Sequence, residues 1–179
     1  LQRLQEGNRR FVSGTSRLDG LNHQSRRSAL TEGQEPFAII LGCADSRVPA
    51  EIVFDQGLGD IFVLRVAGNI LNDHILGSIE YAVGHLGTPV VLVMGHNHCG
   101  AVAAAMQGHG HGYINSIPEE IQPAIEGEAN VGKCENLNID NSIKRILQSE
   151  AIKELISAGR LKVLGGKYNL ESGQVEFFM

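Results

Sequence analysis

Three short aliphatic runs, FAIIL at 37–41, IFVLRV at 61–66 and VVLVM at 90–94, constrain this chain more than any other feature. Each is too short for an independent helix, rich in β-branched residues and apolar at nearly every position, and so predicts a buried strand. A fourth run, 161–164, leads into YNLESGQV at 168–175 and then Phe177 and Phe178, which predicts a turn into a closing edge strand. Between the runs the period becomes helical. Ile75, Ile79, Tyr81, Val83 and Leu86 fall largely on one face before Gly87, and Ile143, Ile146 and Leu147 mark a second helix. A third opens at Ser149, carries Ile152, Leu155 and Ile156, and stops at Gly159. Strands alternating with helices predict an α/β fold with a mostly parallel central sheet flanked by helices and an antiparallel edge strand. With 179 residues, one domain over 1–179 is expected. Leu1, Leu4, Phe11 and Val12 form an apolar stripe well ahead of the first strand, an N-terminal helical arm for the domain itself or for another subunit.

The charge of −5 is spread over interspersed acids and bases, with no basic stripe interleaved with aromatics, so nucleic acid is not an expected partner. No apolar stretch approaches the roughly 20 residues that span a bilayer, and no hydrophobic signal segment is present; no membrane association is expected. The cytoplasm is the expected compartment, and the periplasm or an organelle the alternative if a targeting segment precedes Leu1. Cys43, Cys99 and Cys134 cannot all pair, and a chain this rich in Val, Ile and Leu needs no covalent staples. Thiol chemistry or metal binding is therefore favoured over a disulfide framework.

In parallel sheets ligands gather at the carboxyl ends of the strands. Cys43 follows the first run, in GCADSRVP (42–49), and His96 follows the third, in GHNHCGA (95–101), where a helix begins. Zinc takes thiolate and imidazole ligands, and a catalytic zinc keeps one tetrahedral position open. Cys43, His96 and Cys99 supply three such ligands, and the signal lies in their coincidence at two strand ends that should meet. Competing readings fit less well. A phosphate loop at 95–100 has Ala101 and Val102 where Lys and Ser or Thr belong. A nucleophilic Cys99 lacks a basic neighbour in the residues that follow it, and a Cys43–Cys99 disulfide leaves Asp45, Arg47 and His96 without a role. A structural zinc closed by His98 or Asp45 stays open, although ligation by His96, His98 and Cys99 together would strain the turn, which places His98 behind the ligands or at the surface. Asp45 and Arg47 read equally as an orienting carboxylate held by an arginine and as a cap on the loop. Cys134 is expected to be a packing or surface thiol, and His23, His74 and His85 structural histidines. His109 and His111, in a flexible connection at 108–112, are given no role.

The pattern Cys43-x-Asp45-x-Arg47 followed by His96-x-x-Cys99-Gly100 after a Val-rich strand resembles the signature of the β-class carbonic anhydrases. The resemblance extends through Gln34, Phe62, RVAGN at 65–69, IEYA at 79–82 and the tail around Tyr168, and skips a variable stretch from about 108 to 136. It implies one Zn2+ per subunit held by Cys43, His96 and Cys99, whose open position serves the water that attacks carbon dioxide to give bicarbonate. It implies an Asp45–Arg47 dyad, Gln34 as a donor to substrate, and Phe62, Ala67 and Tyr81 lining a small apolar pocket, with some of these coming from a neighbouring subunit of a homodimer or homotetramer. In members regulated by bicarbonate a tryptophan stands where this chain has Ile40, so regulation of that type is not expected despite Arg65 and Tyr168. The resting state is expected to keep Asp45 on Arg47. Two further readings share the motif: hydrolysis of carbonyl sulfide or carbon disulfide, and a non-catalytic zinc- or bicarbonate-binding protein.

Overall fold

The computed structural model describes residues 1–17, 23–108 and 110–178; His109 lies outside the described residues. Five strands form one sheet: β1 (Ala38–Cys43), β2 (Ile61–Val66), β3 (Val90–His96), β4 (Lys162–Tyr168) and β5 (Val175–Phe178). Their order is β2-β1-β3-β4-β5; the first four are parallel and β5 runs antiparallel along β4. This is the predicted sheet with its antiparallel edge. Two strands extend beyond their apolar runs, so that Cys43 and His96 are strand residues rather than the first residues of loops.

Successive strand side chains point to opposite faces, so β1 and β3 divide their residues between two cores. Ala38, Ile40, Leu92 and Met94 face α1 (Gln2–Val12), α3 (Ala50–Val53), α5 (Gly100–Gln107) and α6 (Ser116–Ile125). Ile39, Leu41, Val91 and Val93 face α4 (Asp73–Gly84), α7 (Val131–Ile146) and α8 (Glu150–Ser157). A short helix, α2 (Gln24–Ala29), precedes β1 on the outside. Side-chain caps start three of these helices: the Asn72 side chain accepts from the Ile75 amide, Asn130 from Lys133 and Ser149 from Ile152.

The amino-terminal arm packs on its own domain. Leu4 is fully buried, and Asn8 bridges two elements by donating to the Val53 and Gly173 carbonyls and accepting from the Val175 amide. Arg10 anchors the same helix through the buried carboxylate of Asp55. At the opposite edge, β2 is half-buried along most of its length despite its apolar sequence. Residues 112–146, mostly within the stretch expected to vary, hold a 3-10 turn (Gly112–Asn115), α6 and the whole of α7.

Candidate metal centre

β1 and β3 are parallel neighbours, which brings their carboxyl ends side by side. Cys43 ends β1, His96 ends β3 and Cys99 stands at the N-cap position of α5, three residues further on. One ligand atom from each lies within 4.8 Å of the other two, and the residues are 4%, 1% and 2% exposed. Among the described residues this is the one group of three or more His, Cys, Asp or Glu side chains placed to hold a metal ion.

Backbone geometry aims each donor inward. The Cys43 sulfur accepts from the amides of Asp45 at 3.4 Å and Gly68 at 3.3 Å. Gly68 reaches that position in a 3-10 turn, Ala67–Asn69, with φ 73°, where a Cβ would stand 2.9 Å from Ile121 Cδ1; a left-handed backbone in this little space calls for glycine. His96 Nδ1 is 2.8 Å from the Asn97 carbonyl, which fixes the proton on Nδ1 and leaves the Nε2 lone pair facing the sulfurs. That Nε2 is buried and has no hydrogen-bond partner.

The electrostatics of the three residues are unresolved without a cation. Hydrogen bonding from the Cys99 thiol first, with the nearby His96 ring and the two amides also favouring the thiolate, holds Cys43 far below the usual thiol range. Sharing a proton with that thiolate pushes Cys99 upward, and burial adds to the shift. The amides of Ala101 and Val102, at the start of α5, act in the other direction. Two thiols competing for one negative charge beside an orphaned imidazole nitrogen is a donor set that a divalent cation would satisfy at every atom, and the softness of two sulfurs and a nitrogen suits zinc.

Asp45 and Arg47 stand at the mouth of this cluster. The Arg47 guanidinium grips the carboxylate with two bonds, Nε to Oδ1 at 3.0 Å and Nη2 to Oδ2 at 2.7 Å, and the Arg47 amide adds a third at 2.9 Å. This contact holds the Asp45 carboxyl well below the usual carboxylate range. Asp45 Oδ2 lies 4.0 Å from His96 Nε2, so the ionised oxygen borders the donor atoms while staying committed to the arginine. Arg47 Nη2 also donates to the His98 carbonyl at 3.3 Å, joining the two signature segments. The His98 ring itself turns outward to Glu171, 2.9 Å away, with its backbone at φ 53°.

The pocket residues named from the sequence separate into two groups. Ala67 precedes Gly68, whose amide meets the Cys43 sulfur. Gln34 is exposed in the segment before β1. Phe62 lies near the opposite end of β2 from Val66, the residue that pairs with Cys43. They stand four positions apart, roughly 13 Å along a strand. Tyr81, 47% exposed, packs its ring 6.5 Å from that of Phe62 and 5.3 Å from that of His85. Gln34 and Tyr81 are thus exposed and Phe62 half-buried, and Phe62 and Tyr81 lie away from the cluster of their own chain. Cys134 is fully buried and touches only the Glu128 carbonyl among its hydrogen-bond partners, a packing thiol.

Two residues that hold the site were not read from the sequence in that role. Arg65, on β2, donates to the carbonyls of Cys43 and Asp45. Glu135, on α7, accepts from the Cys99 amide at 3.4 Å. The role of Arg65 follows from the register that sets it beside Gly42, which no pattern in the sequence marks.

Comparison with known proteins bears on this centre. The model of a family described as carbonic anhydrase matches residues 38–175. Carbonic anhydrase 2 of Mycobacterium tuberculosis is 41% identical over 184 residues, covering 96% of this chain and 87% of that protein. A carbonic anhydrase of Mycolicibacterium smegmatis is 40% identical, covering 97% and 89%. Among solved structures, one of two tetrameric β-carbonic anhydrases from Sordaria macrospora superposes with a TM-score of 0.78 at 26% identity over 84% of each chain. The β-carbonic anhydrase CcaA gives 0.78 at 27% identity over 98% of this chain and 90% of its own.

Proposed function

The chain belongs to the β-carbonic anhydrase family, and from that premise we propose that it catalyses the reversible hydration of carbon dioxide to bicarbonate and a proton, with one zinc ion per subunit held by Cys43, His96 and Cys99. The observation that carries the reading is the convergence of those three donors within 4.8 Å, with the His96 Nε2 unpartnered and Asp45 withheld from the cluster by Arg47. No fourth His, Cys, Asp or Glu joins the group among the described residues, so the donor set is that of an open site rather than a closed structural one.

Zinc in this position supplies the Lewis acidity that makes water a nucleophile near neutral pH. The chain's own residues do the rest. Cys43 and Cys99 bring two negative charges where three imidazoles would bring none, so they leave less positive charge to acidify water and set the basic limb of activity above pH ~7. Asp45, kept ionised by the Arg47 fork, can only accept a hydrogen bond. At the border of the cluster it would accept a hydrogen bond from the attacking oxygen, keeping no proton itself, and so turn that oxygen's lone pair toward the carbon of the substrate. The buried walls exclude bulk water from the donors, and Ala67 keeps the approach small and apolar.

Gln34, Phe62 and Tyr81 complete this reading only in an assembly. The exposed Gln34 and Tyr81 and the half-buried Phe62 suit an interface in which a second copy offers them to this chain's metal centre and receives the same in return, as an isologous contact requires. The half-buried apolar edge of β2 supports a homodimer or homotetramer, since an uncovered edge strand invites pairing. One preparation tests the proposal: metal analysis of the purified protein together with stopped-flow hydration of carbon dioxide. Zinc near one per chain with rapid hydration upholds it, and zinc-replete protein without hydration overturns it.

A further inference from the structure

One face of α7 is polar and buried. Glu135, Asn138 and Ser142 lie three and seven residues apart, on the same side of the helix, and are 3%, 1% and 1% exposed. Polar side chains in such places destabilise a fold unless they are partnered, and here the partners lead to the metal centre. Asn138 Nδ2 donates to the Gly68 carbonyl at 2.7 Å, in the peptide turn whose amide meets the Cys43 sulfur. Ser142 Oγ donates to the next carbonyl, that of Asn69, at 2.9 Å. Between them Ile139 packs on Gly95 so closely that a Cβ there would stand 2.6 Å from Ile139 Cδ1, one residue before His96.

Glu135 completes the set and is the unusual member. Its Oε1 accepts from the Cys99 amide at 3.4 Å, while Oε2 pairs with Lys167 Nζ at 2.7 Å. Lys167 in turn donates to the Gly132 carbonyl at 2.9 Å, at the start of the same helix. A lone carboxylate beneath Cys99 would disfavour a second thiolate next to Cys43. The lysine on its far oxygen cancels that charge and leaves the near oxygen free to hold the amide.

Resting on the reading of Cys43, His96 and Cys99 as metal ligands, we propose that Glu135, neutralised by Lys167, is a positioning residue that fixes the Cys99 turn and thereby sets the affinity of the centre for zinc. The ion pair serves the ligand geometry rather than the stability of the fold. Groups of this kind behind metal ligands are worth about 10–100-fold in affinity, whereas exchanging a buried ion pair for apolar residues of similar volume is often neutral for folding.

Two double variants isolate the contact. Glu135→Gln with Lys167→Met removes both charges and keeps a carbonyl oxygen for the Cys99 amide; Glu135→Leu with Lys167→Met removes the acceptor as well. Zinc affinity is measured by competition with a chromophoric chelator, the Co2+ form is examined for its sulfur-to-metal charge-transfer band, and the metal-free proteins are unfolded in urea. The expected result is near-native affinity for the Gln variant, a loss of about 10–100-fold for the Leu variant with an altered band, and matching urea midpoints for the two. Equal affinities in the two variants, or a loss that only follows a drop in metal-free stability, overturns the inference and leaves the metal centre standing. Wild-type protein that binds no zinc overturns both.

Discussion

Arg65 ties the edge of the sheet to the first metal-ligand candidate: its Nε donates to the Cys43 carbonyl at 2.9 Å, and its Nη2 donates to the carbonyl of Asp45 two residues on. The guanidinium spans the strand end and the loop that carries the dyad, so the placement of Asp45 depends on it. Replacing Arg65 with Ala is expected to cost about 1 kcal/mol of stability, the low end for a charged donor because the residue is exposed. A larger effect falls on turnover, since the loop loses its register. Lys should not restore activity, because a single ammonium cannot reproduce the fork. Urea midpoints and hydration rates for the two variants decide the matter, and a Lys variant with native turnover would count against the arrangement.

Ligand and orienter separate by mutation. Cys99→Ala should abolish zinc and activity together. Asp45→Ala should keep zinc near one per chain and lose turnover by about 10²-fold or more, the order of loss when a reacting group is no longer oriented. Metal content measured beside the rate distinguishes the two outcomes; loss of zinc from Asp45→Ala would make that carboxylate an obligatory ligand.

The dyad also makes a prediction about pH. Arg47 depresses the Asp45 carboxyl, so its contribution to stability is complete above the unfolded value of about 3.9 and is lost only as pH falls through the lower folded value. No Asp45 titration is therefore expected between pH 8 and pH 4. In Arg47→Met the largest contact that holds the carboxyl down is gone while the residue-47 amide remains, so the carboxyl is expected to titrate higher than in the wild type. Carbon-13 spectra of the aspartate carboxyls across the interval read this directly, and a wild-type Asp45 that titrates above pH 4 contradicts it.

Gly7 makes the amino-terminal arm sensitive to a single methyl. A Cβ there would stand 1.7 Å from the Phe54 carbonyl oxygen and 2.8 Å from Gln56 Nε2, both in the wall on which α1 rests. Gly7→Ala must lift the helix and disturb the Asn8 bridge. The expected cost is about 1–3 kcal/mol, a fall in Tm of about 2–4 °C for each of these. Thermal unfolding of the zinc-loaded protein tests it, and an unchanged Tm would mean that the arm does not pack as described.

How much of this was legible in the sequence depended on whether apolar residues carried the signal. The strands at 37–41 and 90–94 declared themselves because nearly every position is buried, the one at 61–66 because it is apolar at all but Arg65 although only half-buried, and Cys43 and His96 followed from where the first and third runs stop. β4 was seen only as far as Leu164, because Gly165 and Gly166 interrupt the apolar pattern although they continue the strand to Tyr168. Of α7 only the tail at Ile143 and Ile146 was visible. Its earlier turns bury Glu135, Asn138 and Ser142 among Cys134 and Ile139, and an inward face so interrupted by polar residues gives only a diluted hydrophobic period. The part of the fold that supports the metal centre was therefore the part composition concealed. Gln34, Phe62 and Tyr81 came from family resemblance alone, since nothing in one chain's periodicity shows what a second copy will cover.

Those three residues yield the last prediction, which concerns where they act. Phe62 and Tyr81 form an aromatic pair on the outer side of β2, and Gln34 is exposed before β1, none of them in hydrogen-bond contact with the three donors of the same chain. If each serves the metal centre of a partner, two inactive variants should repair one another. A Cys99→Ala subunit has no competent metal centre but carries an intact Gln34 and Tyr81; a subunit with Gln34→Ala and Tyr81→Ala keeps its donors and lacks the pocket. In a hybrid of the two, the donors of the second subunit meet the pocket of the first, and one site is complete. Co-refolding the variants should restore hydration that neither shows alone, in proportion to the hybrid separated by an affinity tag on one partner. Were the pocket supplied by the same chain as the metal, every site in the hybrid would lack one half, and mixing would restore nothing.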